Sequence, residues 1–306
     1  MAHSVLVAGA TGMLGSKIAH ALLEKNVEVM VLTRSLHPSS PKSAQHLAQL
    51  QSRGAQVVEG DLNNMESLLK ATEGAPAVIS AVQGEFDIIV QGQQNLLRAA
   101  EKNGVRRFVP SDFSMNYFKL AEGDNDNSDI RRQFAELLKA SPVAHTFMLN
   151  GAFTEVEVSP WGGLIDQENS TFSYWGDGET SFDITTIHDT ARYTAEAVLD
   201  PVLANQVFEV AGDVLTMKEF LAIYQETTGR HLTERRLGSV QELKDWIEQK
   251  KRTASSPHEY LGQQYHYALV SGKGKLDNLQ NDRYPYIQPL TLKQFLEGES
   301  QKATQR

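Results

Sequence analysis

Short apolar runs alternate with amphipathic segments along the first half of the chain. Each run is rich in Val, Ile, Leu or Phe and is short enough to be a strand buried on both faces. The segments between the runs carry apolar residues at helical spacing, as at Ile18, Leu22 and Leu23. Strands that alternate with helices in this way predict an α/β fold with a doubly wound parallel sheet. The six runs are Ser4–Ala8, Glu28–Thr33, 56–60, 77–82, 106–111 and 144–150.

The pattern changes after residue 150. The segment 151–182 is rich in Gly and aromatic residues and predicts loops or short irregular strands. A helix from about Asp189 to Leu199 and a strand at 207–210 are expected next. Beyond them the chain is predicted to be mainly helical. Three further helix starts pair a Ser or Thr with a Glu or Gln three residues later, so that each side chain can bond to the other residue's backbone amide. These pairs are Thr216 with Glu219, Ser239 with Glu242, and Thr291 with Gln294.

The composition fits one large domain, or a domain with a smaller lobe, since 41% of the 306 residues are apolar. The 29 Lys and Arg residues are outnumbered by 38 Asp and Glu residues. The resulting net charge of −9 disfavours binding to nucleic acid or to an anionic membrane surface. No apolar run approaches the roughly 18 residues that cross a bilayer, and the first residues show no charged-then-apolar leader. We therefore expect a cytoplasmic protein that does not bind membranes.

The chain has no cysteine, which excludes disulfides, thiolate metal sites and a cysteine nucleophile. It has no Gly-x-Ser-x-Gly or His-Glu-x-x-His motif, so hydrolase and metalloenzyme activities are disfavoured. The acidic segment 122–129 resembles a calcium loop only in part, because Asp129 replaces the turn glycine and Ala135 the bidentate glutamate. We interpret it as a solvated acidic loop and predict no metal site. The chemistry is then expected to come from a bound cofactor or from Ser, Tyr, His, Lys and carboxylate side chains.

A glycine-rich segment, GATGMLG at 9–15, follows the first apolar run and opens a helix. Gly9 permits the tight turn, Gly12 lets a pyrophosphate approach the backbone, and Gly15 lets the helix pack close to the strand. The helix N-terminus adds free amides and a positive dipole. In this context the segment predicts a dinucleotide-binding turn. The alternative is a structural glycine-rich turn with no ligand.

The second apolar run ends in Thr33-Arg34-Ser35, where an NAD-selective protein carries an Asp or Glu for the ribose hydroxyls. Arg34 offers a planar guanidinium to a 2′-phosphate and Ser35 offers a hydroxyl. No acidic side chain is present there to repel the phosphate. We therefore predict NADP(H) as the cofactor, with an exposed strand-end charge as the alternative interpretation of Arg34.

Two further strand ends fit the same ligand. Asp61 and Leu62 follow the third run, where a carboxylate or an amide can meet the adenine. Asp61 is also a plausible helix cap. Ala81, Val82 and Gln83 end the fourth run, where small residues and backbone can lie against the nicotinamide half. Since the carboxyl ends of parallel strands share one edge of a sheet, these residues are expected to lie on that edge.

From about residue 4 to 215 the chain resembles the NmrA-like branch of the atypical short-chain dehydrogenases/reductases, which includes isoflavone-reductase-like enzymes. The matching motifs, in order, are GATGMLG, Arg34, VISAVQG at 78–84, RFVPSDFS at 107–114, TFMLNGAF at 146–153, YWGDGET at 174–180 and HDTAR at 188–192. The resemblance implies a Rossmann domain that binds NADP(H), over residues 1–155 plus about 183–214. It also implies a smaller, mainly helical substrate or lid domain over 156–182 and 215–306.

The resemblance also implies site residues. Residues that match the family's cofactor contacts are Gly9, Thr11, Gly12, Met13, Leu14 and Arg34 at the phosphates, Ala81, Val82 and Gln83 beside the cofactor, and Asn150, Gly151 and Phe153 at the nicotinamide. The family's catalytic lysine does not match, because Asn127 stands at its place. An asparagine cannot supply a proton as an ammonium can. Candidate proton donors are Lys119, Tyr117 and Ser111, in that order.

The expected activity is reduction of a small molecule by hydride transfer from NADPH, with an aromatic, enone or quinone substrate. Hydride transfer needs a positioned nicotinamide, exclusion of water and a proton donor. The Tyr-x-x-x-Lys pair of ordinary short-chain dehydrogenases is absent, which disfavours epimerase or dehydratase chemistry. The alternative is a catalytically weak NADP(H) redox sensor that acts through protein contacts. The sequence leaves the oligomeric state open between monomer and homodimer.

Overall fold

The computed structural model describes residues 4–304 and divides them into two compact units. The first unit comprises the residues up to Phe113 together with Ile130–Met148 and Thr190–Phe208. The second unit comprises Ser114–Asp129, Leu149–Asp189 and the residues from Glu209 onward. No helix among the described residues is long and apolar enough to cross a membrane.

Within residues 4–304 the chain forms thirteen strands and eleven α-helices. The strands are β1 Ser4–Ala8, β2 Glu28–Thr33, β3 Gln56–Glu59, β4 Ala77–Ser80, β5 Arg107–Val109, β6 Ala144–Leu149, β7 Ala152–Phe153, β8 Ile165–Asp166, β9 Thr171–Trp175, β10 Phe182–Thr185, β11 Gln206–Glu209, β12 Asp213–Leu215 and β13 Thr233–Gly238. The helices are α1 Met13–Glu24, α2 Pro41–Ser52, α3 Met65–Thr72, α4 Gln93–Lys102, α5 Asp126–Lys139, α6 Thr154–Glu157, α7 Ile187–Leu199, α8 Met217–Thr228, α9 Val240–Thr253, α10 Leu261–Val270 and α11 Leu292–Thr304.

The first unit is built on a seven-stranded sheet in the order β11-β6-β5-β4-β1-β2-β3. Strands β1 to β6 pair in parallel, with Ala8 of β1 opposite Leu32 of β2 and Ser80 of β4. Every residue of β1 and β4 is buried, as expected of strands covered on both faces. The prediction of a doubly wound parallel sheet is confirmed. Because the strand order reverses between β1 and β4, a ligand crevice is expected at their carboxyl ends.

The helix α1 illustrates how local sequence forms this unit. Its residues Ile18, Ala19 and Leu22 are buried and lie on one face, whereas Lys17 is exposed. Burying an aliphatic side chain of this size contributes about 1.5–3 kcal/mol. The apolar spacing seen in the sequence is therefore the surface on which the helix packs.

The second unit contains two three-stranded sheets and most of the later helices. In one sheet β10 lies between β7 and β12, and in the other β9 lies between β8 and β13. Phe220 of α8 stacks against Phe172 of β9 at 5.8 Å and Phe182 of β10 at 6.4 Å between ring centroids. These rings join both sheets to one helix.

The predicted helix starts agree with the structure, with one correction. All three capping boxes, at Thr216, Ser239 and Thr291, are formed. The helix expected from about Asp189 begins at Ile187 instead, because Thr186 caps it. The amide of Asp189 donates to the Thr186 hydroxyl at 3.0 Å, and that hydroxyl donates back to the carboxylate at 2.7 Å. Asp189 is thus the acidic partner of the Thr186 cap, and the helix starts two residues earlier than expected.

Candidate active site

The glycine-rich turn follows β1 directly. Gly9 has a φ of +79°, and a Cβ at this position would lie 2.3 Å from the carbonyl oxygen of Ala81. A Cβ on Gly15 would lie 2.3 Å from the carbonyl oxygen of Gly9. Atoms do not approach so closely, so both positions admit only glycine. The turn therefore packs against the end of β4 on one side and against α1 on the other.

The N-terminus of α1 has the properties of an anion site. Gly12 stands at the cap position with extended backbone, and it provides no side-chain hydrogen bond to the first turn. By contrast, α2 and α3 begin with side-chain caps from Ser40 and Asn64. A Cβ on Gly12 would meet only the Gly9 carbonyl oxygen, at 3.1 Å. The first amides of α1 therefore face open space, where a phosphate can accept from them.

The end of β2 presents a cation and an ordered turn. The hydroxyl of Thr33 donates to the carbonyl oxygen of Ser35 at 2.9 Å, and the Ser35 hydroxyl accepts from the amide of His37 at 3.1 Å. The Arg34 side chain is exposed and has no hydrogen-bond or ion-pair partner within residues 4–304. Its guanidinium is thus available to an anionic ligand.

At the end of β3, Asp61 shapes a turn. Its carboxylate accepts from the amide of Asn63 at 2.8 Å, and its own amide donates to the hydroxyl of Ser67 at 3.0 Å. Asn64 caps α3 by accepting from the amide of Ser67, so the alternative that Asp61 caps this helix is wrong. The neighbouring Leu62 uses its carbonyl oxygen to accept from the side-chain amide of Asn95 at 2.9 Å.

The end of β4 brings together several residues that the sequence predicts for the site. The amide of Ala81 donates to the carbonyl of Ala8 at 2.8 Å. The Ser111 hydroxyl donates to the carbonyl oxygen of Val82 at 2.6 Å, and the Ser111 amide donates to the side chain of Gln93 at 2.9 Å. Gln83, which follows Val82 in the chain, is exposed. Ser111 therefore fixes the turn that contacts Gly9, and its hydroxyl proton is engaged by backbone.

Asn150 and Phe153 lie in the second unit. The Asn150 backbone is fixed, since its amide donates to Ser114 at 2.9 Å and its carbonyl accepts from the Thr185 hydroxyl at 2.6 Å. Its side chain is fully buried, and neither amide atom has a partner among the described residues. Buried polar atoms are ordinarily bonded, so this side chain is suited to a ligand's polar groups. Phe153 is half-buried and pairs with Thr185 in the strand ladder.

Lys119 and Tyr117 also lie in the second unit, in one 3₁₀ turn. The Lys119 ammonium donates to a carboxylate oxygen of Asp277 at 2.6 Å and to the carbonyl oxygen of Lys275 at 3.0 Å. Tyr117 is fully buried, with its ring 4.3 Å from that of Phe118. These contacts give Lys119 a structural partner. Its role as a proton donor stays a prediction.

The acidic segment 122–129 is partly buried, so its interpretation as a solvated loop is wrong. The Asp126 carboxylate accepts from Lys251 at 2.7 Å and from Tyr260 and Gln264 at 2.9 Å each. Burial alone would raise the pKa of Asp126, but these hydrogen bonds outweigh it and hold the pKa below its ordinary value. Asn127, at the place of the family lysine, donates to the Tyr265 hydroxyl at 3.2 Å. Within the described part of the chain no cluster of His, Asp and Glu could hold a metal ion.

Two residues that the sequence analysis does not name have informative environments in the structure. His46 of α2 places Nδ1 2.9 Å from the carbonyl oxygen of Thr11, within the glycine-rich turn. Glu157 is almost fully buried, and burial raises the pKa of its carboxyl to about 8. An acid within an apolar stretch is a signal for Glu157. The contact of His46 joins residues 35 positions apart and has no local pattern.

Residues 1–295 match the model of the NmrA-like family. Pinoresinol reductase 2 of Arabidopsis thaliana is 30% identical, over 86% of this chain and 84% of its own length. Isoflavone reductase of Pisum sativum is 25% identical, over 96% of this chain and 98% of its own.

Solved structures show the same fold. A crystal structure of isoflavone reductase has a TM-score of 0.85 at 22% identity, covering 98% of this chain and 100% of its own. The structure of AtPrR2 with NADP+ and (+)pinoresinol has a TM-score of 0.84 at 24% identity, covering 97% and 98%. A leucoanthocyanidin reductase–NADPH complex from Vitis vinifera has a TM-score of 0.83 at 21% identity, covering 97% and 98%. On the family match and the Arabidopsis relative, this chain belongs to the NmrA-like family.

Proposed function

We propose that this protein is an NADPH-dependent reductase of a small molecule. The relatives named above are reductases of pinoresinol and isoflavone, and two of the structural neighbours are complexes with NADP+ or NADPH. A cofactor of this kind supplies hydride from its nicotinamide. The protein's own contribution is to bind and orient the cofactor and substrate, exclude water and provide a proton.

One observation carries the proposal of NADP(H): a free cation and an uncapped helix lie at the same edge of the sheet. Because β1 and β2 pair in parallel with Ala8 opposite Leu32, Gly9 and Arg34 follow the two strands on that edge. The α1 amides would bind the pyrophosphate, and the Arg34 guanidinium would bind the 2′-phosphate. The open space over Gly12 fits such a group. The Ser111 contact with Val82 would keep the neighbouring turn in place.

Arg34 provides the first test. A charge-assisted contact of this type is worth about 1.5–3 kcal/mol, so Arg34→Ala should weaken NADPH binding by about 10- to 100-fold and leave NADH binding nearly unchanged. Isothermal titration of both nucleotides measures this. Arg53→Ala is the matched control, because Arg53 is an exposed arginine of the same unit that pairs with Glu24. Equal losses for NADPH and NADH, or a preference of the unaltered protein for NADH, would contradict the assignment.

Turnover separates a reductase from a redox sensor. NADPH is incubated with the protein and a panel of quinones, enones and phenolic propenyl compounds, and its oxidation is followed by absorbance at about 340 nm. We expect oxidation with at least one of these classes. The sensor alternative is favoured by the absence of the family lysine at Asn127. It predicts tight NADPH binding without oxidation by any member of the panel.

A paired comparison tests whether Lys119 acts in catalysis. Its ion pair with Asp277 joins side chains that are 35% and 63% exposed, and such pairs contribute about 0–1 kcal/mol. We expect Lys119→Met and Asp277→Asn to behave alike, because each removes the same pair. Both should lower the free energy of unfolding by less than about 1 kcal/mol, with matching turnover rates. If Lys119→Met loses turnover and Asp277→Asn keeps it, Lys119 is the proton donor instead.

A further inference from the structure

The short helix α6 carries two polar side chains that the contacts described so far do not use. Thr154 and Glu157 are three residues apart and therefore share a face of the helix. They are only 1% and 6% exposed. The helix belongs to the second unit and follows the short strand β7.

Both side chains end in buried atoms that have no partner. Thr154 Oγ1 and Glu157 Oε2 are inaccessible to solvent and form no hydrogen bond with any described residue. A buried polar atom left in this way costs about 1–3 kcal/mol, which is why native structures rarely contain one. The fully buried side-chain amide of Asn150, four residues before Thr154, is unpartnered as well. Three side chains within eight residues thus lack their partners.

Comparable side chains elsewhere in the molecule do have partners. A threonine beyond the first turn of a helix can donate to a carbonyl three or four residues earlier, a partner that Thr154, as the first residue of α6, does not have within its helix. Thr194 and Thr228 donate in this way, to Thr190 and Tyr224, at 2.7 Å each. On α6 itself, both carboxylate oxygens of Glu155 accept from the amide of Ile187, at 2.9 and 3.0 Å. The helix therefore has one acid with a structural contact and one without.

The turn after α6 is fixed against the helix backbone. A Cβ on Gly162 would lie 2.6 Å from the carbonyl oxygen of Val156 and 2.7 Å from Cα of Glu157, so only glycine fits. His266 of α10 holds this turn, with Nε2 2.6 Å from the carbonyl oxygen of Gly162. Close packing on this side prevents α6 from moving toward the turn. The backbone of α6 at Val156 and Glu157 is thus held against this turn.

We infer that Thr154 and Glu157, together with the side-chain amide of Asn150, form a subsite for an uncharged hydroxyl or carbonyl oxygen of the substrate. The inference rests on the proposed reductase and names the class of compound that it takes. A carboxyl group buried to this extent is protonated near neutral pH and donates a hydrogen bond. Burial is the sole cause of its raised pKa. An anionic group in the same place would therefore lack a compensating cation.

Acetophenone and benzoate test the subsite, because they share a ring and differ in charge. Binding is measured by NMR titration of the protein with NADP+ present. We expect acetophenone to bind at least about tenfold more tightly than benzoate. Glu157→Leu and Thr154→Val should each weaken acetophenone about tenfold, as expected for the loss of one hydrogen bond. Glu157→Gln should stay within about threefold, because an amide also donates.

Glu155→Gln is the matched control on the same helix. It alters the contact with Ile187 and should leave acetophenone binding unchanged. A crystal structure with acetophenone adds a direct readout, and its ketone oxygen is expected within hydrogen-bonding distance of Thr154 and Glu157. Ordered waters that pair these side chains with the probe present, or unchanged acetophenone binding by Glu157→Leu, would overturn the inference. Tighter binding of benzoate would overturn it as well.

The same experiments separate the subsite from the reductase activity. Acetophenone binding that depends on Glu157, in a protein that oxidises no NADPH, supports the subsite and contradicts the proposed reductase. NADPH oxidation with a substrate whose KM is unaffected by Glu157→Leu supports the reductase and contradicts the subsite.

Discussion

Replacing Gly9 by alanine is expected to destabilise the protein by at least about 4 kcal/mol, the range of severe single substitutions. The left-handed backbone at Gly9, with φ of +79°, disfavours any side chain. The added Cβ would also lie 2.3 Å from the carbonyl oxygen of Ala81, which is backbone and cannot rotate away. Relief requires the β1 turn and the β4 end to move apart. Chemical unfolding followed by circular dichroism measures the loss.

We expect Gly12→Ala to change the free energy of unfolding only slightly and NADPH binding strongly. Its Cβ meets only the Gly9 carbonyl oxygen, at 3.1 Å, so we expect a loss of less than about 1 kcal/mol in the free energy of unfolding. The methyl group would occupy the space that a pyrophosphate needs, and NADPH binding should weaken by at least about 100-fold, or about 2.7 kcal/mol. The test is to measure unfolding and NADPH binding on the same samples.

Gly262→Ala serves as the control for both variants. Gly262 lies in α10 with nothing within 4 Å of the position of its Cβ. Alanine there should stabilise the protein by about 0.5–1 kcal/mol and leave NADPH binding unchanged. If Gly9→Ala and Gly12→Ala unfold at the same denaturant concentration, the close contact with Ala81 is not what requires Gly9 to be glycine.

Glu157→Gln should stabilise the protein progressively as the pH rises from 5 to 8. Burial raises the pKa of the Glu157 carboxyl to about 8 in the folded protein, from an ordinary value of 4.5. Above pH 4.5 the unfolded chain releases this proton while the folded chain retains it. The folded protein therefore loses stability with rising pH, until its own carboxyl ionises near pH 8. A shift of this size corresponds to about 5 kcal/mol, and glutamine removes it.

Denaturant unfolding of both proteins at pH 5, 6.5 and 8 measures the effect. At pH 5 the two proteins should differ by less than about 1 kcal/mol, because this pH lies only just above the unfolded-state pKa of 4.5 and the folded carboxyl is still neutral. The difference should grow by up to about 4 kcal/mol at pH 8. If the free energies of unfolding of the unaltered protein and of Glu157→Gln change in parallel with pH, the Glu157 carboxyl has water or another partner. The pH 5 measurement is the internal control for packing changes.

The strands of the first unit are predictable from sequence because each is a local run of buried residues. Ser4–Ala8 and Glu28–Thr33 match their predicted bounds, and the strand expected at 207–210 is found one residue earlier as Gln206–Glu209. The run at 77–82 is longer than β4, which ends at Ser80. The Ala81 amide still donates to Ala8 of β1, but the next residue leaves the ladder, and the Val82 carbonyl accepts from Ser111. Apolar patterning does not show where such a contact ends a strand.

The strand β13 is not predictable in the same way. Thr233–Gly238 reads TERRLG and lacks the alternation of a half-buried strand. Its first five residues are exposed. It forms because its backbone pairs in parallel with β9, as between Thr233 and Thr171. Such pairing over more than 60 positions depends on tertiary context rather than local preference.

The candidate site likewise contains residues that are predictable from local sequence and residues that are not. The glycine-rich turn and Arg34 are predictable because each function depends on a few consecutive residues at the end of one strand. The partner of Lys119, by contrast, is Asp277, which lies 158 positions away. That Thr154 Oγ1 and Glu157 Oε2 lack hydrogen-bond partners can be seen only in the folded structure. Contacts of this kind require the folded structure.

The division of the chain into two units has a consequence for biosynthesis. The chain passes between the units five times, so neither unit is a continuous segment. The edge strand β11, which completes the central sheet next to β6, ends at residue 209 of 306. Its ladder cannot close until about two thirds of the protein has left the ribosome. High contact order of this kind slows folding, and until β11 arrives the β6 edge can pair with another chain.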